Sequence, residues 1–378
     1  MRRFIVSMIA VFGVIALGLI ILMVLVINSG GASISSNMIA GIELVKTRNL
    51  SMEGIEVLSL DYSSDDIYFY ESDTPELVLK EYMNITPNEN ELTQIKQSGS
   101  ELRLQGGDRT HQNWIFNHYN GYVEVYLPTG YHGSISSSTS SGNIETALVL
   151  NLSEFAATCS SGDIDFNEVY ASQISAATSS GNIEFDKAEG NRSFSSSSGN
   201  IKLQGGNGDT EVSSTSGNIT ISENTGELNA TASSGNITVE AAIGAKEVET
   251  TSGVIKLSEC SGFVKASSSS GDIIISDLGS AGIFESTSGN INVSFTDELA
   301  ENREDIEAVA SSGEVELKLP TGLNFDFVAR TSSGDIDTSF DDSLSFKKDG
   351  DYASGTVGVN PNFQLELATS SGNITVED

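Results

Sequence analysis

Twelve times along this chain a Ser or Thr pair, a Gly and usually an Asn or Asp precede a branched aliphatic residue. The signature glycines are Gly142, Gly162, Gly181, Gly199, Gly217, Gly235, Gly253, Gly271, Gly289, Gly313, Gly334 and Gly372, and from Gly181 to Gly289 they recur every 18 residues. A fixed short period means that each repeat is a small unit unable to bury its apolar face alone, so it must stack on its neighbours. The 378 residues therefore read as one elongated body rather than two ordinary domains.

One repeat shows how a coil is made. After Gly217, Ile219 and Ile221 alternate with polar neighbours, the period-two sign of a half-buried strand. Asn224-Thr225-Gly226 is a turn, and Leu228, Ala230 and Ala232 alternate again as a second strand. Large aliphatics two and four residues after each Gly face smaller residues five and three before it, so a thin two-walled core fills without voids. The expected fold is all-β: a single-stranded β-solenoid with coils of about 18 residues, preceded by one N-terminal transmembrane helix. Cys159 and Cys260 then lie five to six coils apart, roughly 24–29 Å at strand spacing. A disulfide needs Cα atoms within about 7 Å, so two free, mostly buried thiols are predicted.

The corner positions read as structural. Gly supplies a backbone angle that side chains disfavour, and Asn tolerates the left-handed region next best. The pairs Gly181-Asn182, Gly199-Asn200, Gly217-Asn218 and Gly235-Asn236 predict a ladder of stacked Asn side chains. Stacked Asp would repel without a cation between, so this unbroken Asn run argues for a hydrogen-bonded ladder over a calcium array. Val254 and Glu314 depart from the corner pattern.

Before the repeats the chain changes character. Residues 4–27 carry no charge and follow Met1-Arg2-Arg3, a span long enough to cross a bilayer with a cytoplasmic N-terminus. Residues 1–27 thus read as stub and membrane anchor, 28–50 as a polar tether, 51–135 as a β cap region covering the sticky edge of the first coil, and 136–378 as the solenoid. An acidic insertion near 296–306 projects as a loop or short helix. Val123-Glu124-Val125-Tyr126-Leu127-Pro128-Thr129-Gly130 returns as Val315-Glu316-Leu317-Lys318-Leu319-Pro320-Thr321-Gly322, each a strand ending in a turn that feeds new coils. The chain ends on the last coil.

The chemistry is sparse. With 19 Lys plus Arg against 52 Asp plus Glu, a net charge of −33 excludes nucleic acid and anionic lipid head groups as partners. It suits a solvated, non-aggregating outer surface or a polyvalent-cation partner. There is no phosphate-cradling loop and no metal-ligand cluster, so no cofactor is expected and the chain reads as a non-enzyme. The alternative is a polysaccharide-active or glycan-binding β-helix with Glu145, Asp165 and Glu184 stacked on adjacent coils. The doubled hydroxyls before each Gly form two rows that either satisfy the edge or bind an ordered surface such as glycan or ice. The one chemically diverse patch holds Arg109, His111, Trp114, His118, Tyr119 and Tyr122, near Tyr126 and His132. It reads as a sugar- or peptide-contacting platform, as a weak transition-metal site, though the His spacings of 7 and 14 match no usual zinc pattern, or as the seal of the solenoid end with His exposed in a loop.

An N-terminal span, a strand ending in Leu-Pro-Thr-Gly and Ser-Ser-Gly-Asn/Asp-Ile repeats together resemble the bacterial putative-adhesin family that includes LiaG-like proteins. That resemblance, over about residues 50–378, implies a β-strand-repeat domain at the cell envelope with no catalytic residues. The expected role is a single-pass, outward-facing interaction or structural module of the cell membrane, meeting a cell-envelope glycan or envelope protein.

Overall fold

The computed structural model describes residues 38–109, 119–301, 303–347 and 350–378. Strands on two walls stack in parallel, coil upon coil. Ile144, Ile164, Ile183, Ile201, Ile219, Ile237, Ile255, Ile273, Ile291 and Val315 are successive register partners on one wall. None is more than 1% exposed, so the predicted aliphatic column is real. Facing it run Ala157, Ala176, Phe194, Val212, Ala230, Val248, Ala266, Phe284 and Ala308. Bulk is shared between the walls: Phe185 stacks on Phe166 at 5.5 Å and on Phe194 at 4.8 Å. Cys159 and Cys260 are both free and buried.

The corner is built differently from the sequence expectation. No signature glycine from Gly142 to Gly313 has positive φ; only Gly334 and Gly372 do. These glycines are needed for close approach instead. A Cβ added at Gly199 would overlap the carbonyl oxygen of Gly181 in the preceding coil, and Gly217 meets Gly199 in the same way. Left-handed backbone belongs to the opposite corner, at Glu223, Ala241, Glu259 and Asp277. The inward hydroxyl three residues before the Gly ties the coils together. Ser196 donates to the Gly181 carbonyl at 3.2 Å and accepts from the Gly199 N–H at 2.9 Å.

The Asn ladder exists, with its rungs running from side chain to backbone. Each Asn Oδ1 accepts the backbone N–H of the next corner residue, at 2.9 Å for Asn182 to Asn200, Asn200 to Asn218 and Asn218 to Asn236. Because the rung uses only Oδ1, Asp serves as well as Asn without a cation, as Asp163 does for Asn182 at 2.6 Å. Val254 receives a rung from Asn236 but has no oxygen to offer Asp272. Val254→Asn should restore it and raise stability by about 1 kcal/mol, the worth of a typical hydrogen bond. An unchanged urea midpoint would show that the rung contributes nothing.

Both ends are threaded rather than simply stacked. At the C-terminal end, Phe363–Ser371 inserts between Ile306–Ser312 and Phe325–Thr331, pairing in parallel with both. The chain therefore ends on the penultimate coil in space, not the last. At the other end, Val57–Asp61 lies between Glu101–Gln105 and Ser134–Thr139. Antiparallel strands close each end: Glu76–Ile85 on Gly121–Pro128, and Tyr352–Val357 on Phe325–Thr331. The strand Met38–Ser51 adds antiparallel to Glu76–Ile85, so much of the stretch read as tether is an edge strand of the cap. Its alternation is blurred because it is exposed, Leu44 at 49%, and because its register shifts twice. The acidic insertion is the short 3-10 helix Asp297–Glu301, pinned by buried Leu299. Residues 4–27 lie outside the described residues; among those described, no helix is long and apolar enough to cross a membrane.

Candidate functional site

Strict alternation on three neighbouring cap strands sorts their side chains by face. In Glu76–Ile85, Leu77, Leu79 and Glu81 point inward while Val78, Lys80 and Tyr82 point outward. Gly121–Pro128 turns Tyr122, Glu124 and Tyr126 outward, and Asp66–Ser72 does the same with Tyr68 and Tyr70. Five tyrosines therefore share one outer surface. Tyr82 stacks on Tyr122 with centroids 4.5 Å apart, Tyr68 meets Tyr122 edge-on at 5.7 Å, and Tyr70 stacks on Tyr126 at 5.2 Å. Lys80 Nζ sits 4.1 Å over the Tyr126 ring and donates to its hydroxyl at 2.9 Å. The Tyr82 and Tyr126 hydroxyls both donate to Glu124 Oε2 at 3.0 Å. Desolvation, reinforced by that carboxylate, pushes the Tyr82 hydroxyl up to about 12.

The next coils continue this surface in acid. Glu145 is the register partner of Tyr68, Asp165 of Glu145, and Glu184 of Asp165. A groove of about 530 Å³ runs between Tyr68 and Tyr70 on one side and Glu145, Asp165, Asn167 and Asp186 on the other. Burial holds the Glu145 carboxyl above its usual range, and burial followed by Glu184 does the same for Asp165. Glu184 is paired with Lys202 of the next coil at 2.5 Å, a basic partner the sequence reading did not foresee. Among the described residues no basic side chain ion-pairs with Glu145 or Asp165.

The patch singled out in the sequence is divided by the fold. Tyr122 belongs to the outer tyrosine surface, whereas Arg109 and Tyr119 turn to the inner side of the same strands. There Arg109 ion-pairs with Asp65 and, at 3.1 Å, with Glu81, and it donates through Nε to the Glu91 carbonyl at 2.9 Å. Tyr119 donates to Asp65, and Thr93 donates to Glu81 through both N–H and hydroxyl at 2.7 Å. Arg109 and Tyr119 thus seal the cap interior. His111, Trp114 and His118 lie outside the described residues. His132 is exposed, its Nδ1 2.9 Å from the Asn151 carbonyl. The corner residues Gly181 to Asn236 form the ladder described above. The first of the two hydroxyl rows lines a separate hollow of about 540 Å³ on the opposite wall, with Ser233, Thr251, Ser269, Glu249 and Glu285.

Tyr68, Tyr70, Tyr82, Lys80 and Glu124 were not foreseen as site residues. The signal was present in phase. In Ile67-Tyr68-Phe69-Tyr70 and Tyr122-Val123-Glu124-Val125-Tyr126 the tyrosines occupy the positions that alternation directs away from the core.

No curated protein matches the chain. Among solved structures, a putative adhesin from Bacteroides fragilis is 13% identical with a TM-score of 0.28, covering 89% of this chain and 97% of that one. A putative adhesin from Parabacteroides distasonis is 10% identical with a TM-score of 0.30, over 89% and 97%. A putative lipid binding protein from the same species is 14% identical with a TM-score of 0.23, over 89% and 98%. Superpositions this loose bear on neither ligand nor role. A family model does bear on identity: it matches residues 55–261 and again 246–377. Between them the two matches run from the cap's first inner strand to the last strand of the solenoid, and the chain belongs to the Toastrack DUF4097 family.

Proposed function

We propose that this chain is a membrane-anchored, outward-facing, adhesin-like β-solenoid that meets a cell-envelope glycan or envelope protein through its tyrosine surface. The reading is of a binding module rather than a catalytic one. One observation carries it: five tyrosines hold the outward phase of three adjacent strands, where a solubility-driven surface would carry charges. Aromatic side chains lose little rotamer entropy on binding and offer flat apolar faces with a polar tip.

Position favours envelope material over a distant partner. Ten residues separate the apolar segment ending at residue 27 from the strand beginning at Met38, and ten extended residues reach at most roughly 35 Å. The tyrosine surface belongs to the cap at this tethered end of the rod.

The test uses the full chain in detergent, applied to immobilised envelope polymers. Retention is expected, and Tyr70→Ala combined with Tyr126→Ala should weaken it about tenfold or more, or about 1.4 kcal/mol. Equal retention of the variant would remove the tyrosine surface from the account. A tag after Asp378 should be accessible on intact cells; one reached only after lysis would defeat the outward orientation.

A further inference from the structure

We infer that the groove beside Tyr68 and Tyr70 is a subsite for an extended amino-sugar polymer, a glycan whose sugars carry free, protonated amines. The inference rests on the reading of the tyrosine surface as the binding face, and it names the ligand chemistry.

Three features of the groove converge on this. Its floor at Tyr68 and Tyr70 is aromatic, and Tyr70 is 40% exposed. Such a face packs against the C–H side of a pyranose ring and attracts a cation placed over it. Its other side is carboxylate, and no basic residue lines it. The neighbouring base, Lys202, is already taken by Glu184. Glu145 accepts from Asn143 Nδ2 at 2.9 Å and Asp165 feels Lys202 only at a distance. Among the described residues neither has an ion-pair partner, and a ligand ammonium can supply one as a charge-assisted hydrogen bond. Finally, the two carboxylates are register partners on adjacent parallel strands, so they recur at strand spacing, roughly 4.8 Å. A spacing this short lets a single ammonium bridge both carboxylates. One sugar of an extended glycan lying along the rod axis would sit on Tyr68 and Tyr70, with the amine of a neighbouring sugar over Glu145 and Asp165. A neutral glycan offers those carboxylates hydroxyl donors but no charge, and an acidic one would be repelled by them.

The experiment compares a fully deacetylated glucosamine hexamer with its N-acetylated counterpart on the full chain in detergent, at near-physiological salt. The free-amine hexamer should bind about tenfold or more tightly than the acetylated one. Glu145→Gln with Asp165→Asn should erase that preference, with urea midpoints confirming an intact fold. A chain of charge −33 attracts any polycation, so Glu249→Gln with Glu285→Gln on the opposite wall supplies the control, matched in charge and expected to bind as the unaltered chain does. Equal loss in the control pair would reduce the effect to bulk attraction and overturn the assignment. Equal affinity for the two hexamers, or no binding of either, would overturn it too. If the tyrosine-dependent retention on envelope polymers persisted in that case, only the ligand assignment would fall. If both vanished, the binding face itself would be wrong.

Discussion

Gly217→Ala should destabilise the solenoid by about 3 kcal/mol or more, at the severe end of single substitutions. The cause is steric and sits in the backbone. The added Cβ would overlap the carbonyl oxygen of Gly199, and no side chain can swing away to relieve it. Gly235 in turn rests on the Gly217 carbonyl, so a shift at one corner is passed to the next coil. The Gly217 N–H also donates to Ser214 at 2.9 Å, and displacement strands that buried hydroxyl. Each coil is held by its neighbours, so loss of contact at one corner opens two interfaces. Gly130→Ala supplies the contrast: a Cβ there has open space, and the change should stay within about 0.5 kcal/mol. Urea denaturation of both variants decides the matter. Equal midpoints would mean that the stacking distance at the corner does not constrain the residue.

That prediction could not have been reached from the repeat alone. The recurrence of Gly every 18 residues shows that a corner recurs and that its residue is special. It does not say whether the reason is backbone angle or proximity. Angle was the natural guess, because most glycines in turns are there for it, but positive φ belongs to the other corner, where Gly226, Gly244 and Gly262 adopt it together with Glu223, Ala241, Glu259 and Asp277. The columns were legible because burial is periodic: Ile201, Ile219 and Ile237 can share one height only if the coils stack. The threading of Phe363–Ser371 between two earlier coils was not legible. Its apolar alternation is the same whether it ends the rod or inserts into it, and only the pairing partner differs. The slackened spacing after Gly334 marked the irregularity without giving its form.

The site divides along the same line. Glu145, Asp165 and Glu184 could be placed on adjacent coils because each stands three residues past a signature Gly. The tyrosine surface could not be assembled, because its strands come from before the repeat and from both sides of an antiparallel turn. Sequence proximity instead gathered Arg109 and Tyr119 with Tyr122, although the inner and outer faces of the cap separate them.

The Arg109 network is where the cap should prove most fragile. Arg109→Met should cost about 3–5 kcal/mol, the usual penalty for removing one partner of a buried ion cluster. Asp65 and Glu81 are 2% and 0% exposed. Without the guanidinium Asp65 keeps its charge with a Tyr119 hydroxyl for a partner, and Glu81 is left with Thr93 and a longer contact to Arg48 at 3.6 Å. Adding Asp65→Asn and Glu81→Gln removes that charge and should return about half of the loss or more. Acid should do part of the same work. Burial already raises the Asp65 carboxyl above its ordinary 3.8, and Arg109 is what opposes the rise. A raised folded value means that this group's contribution to stability is fully present below 3.8 and is lost as pH climbs through the folded value. The deficit of Arg109→Met should therefore shrink as the medium is acidified toward the carboxylate range. Urea midpoints of the single and triple variants at neutral and mildly acidic pH give both tests. A single variant as stable as the parent, or a deficit that widens in acid, would mean that the cluster does not hold the cap. In that event the packing of Leu77, Leu79 and Val125 alone would have to hold the tyrosine-bearing strands against the first coils, and the surface they present would no longer depend on charge at its back.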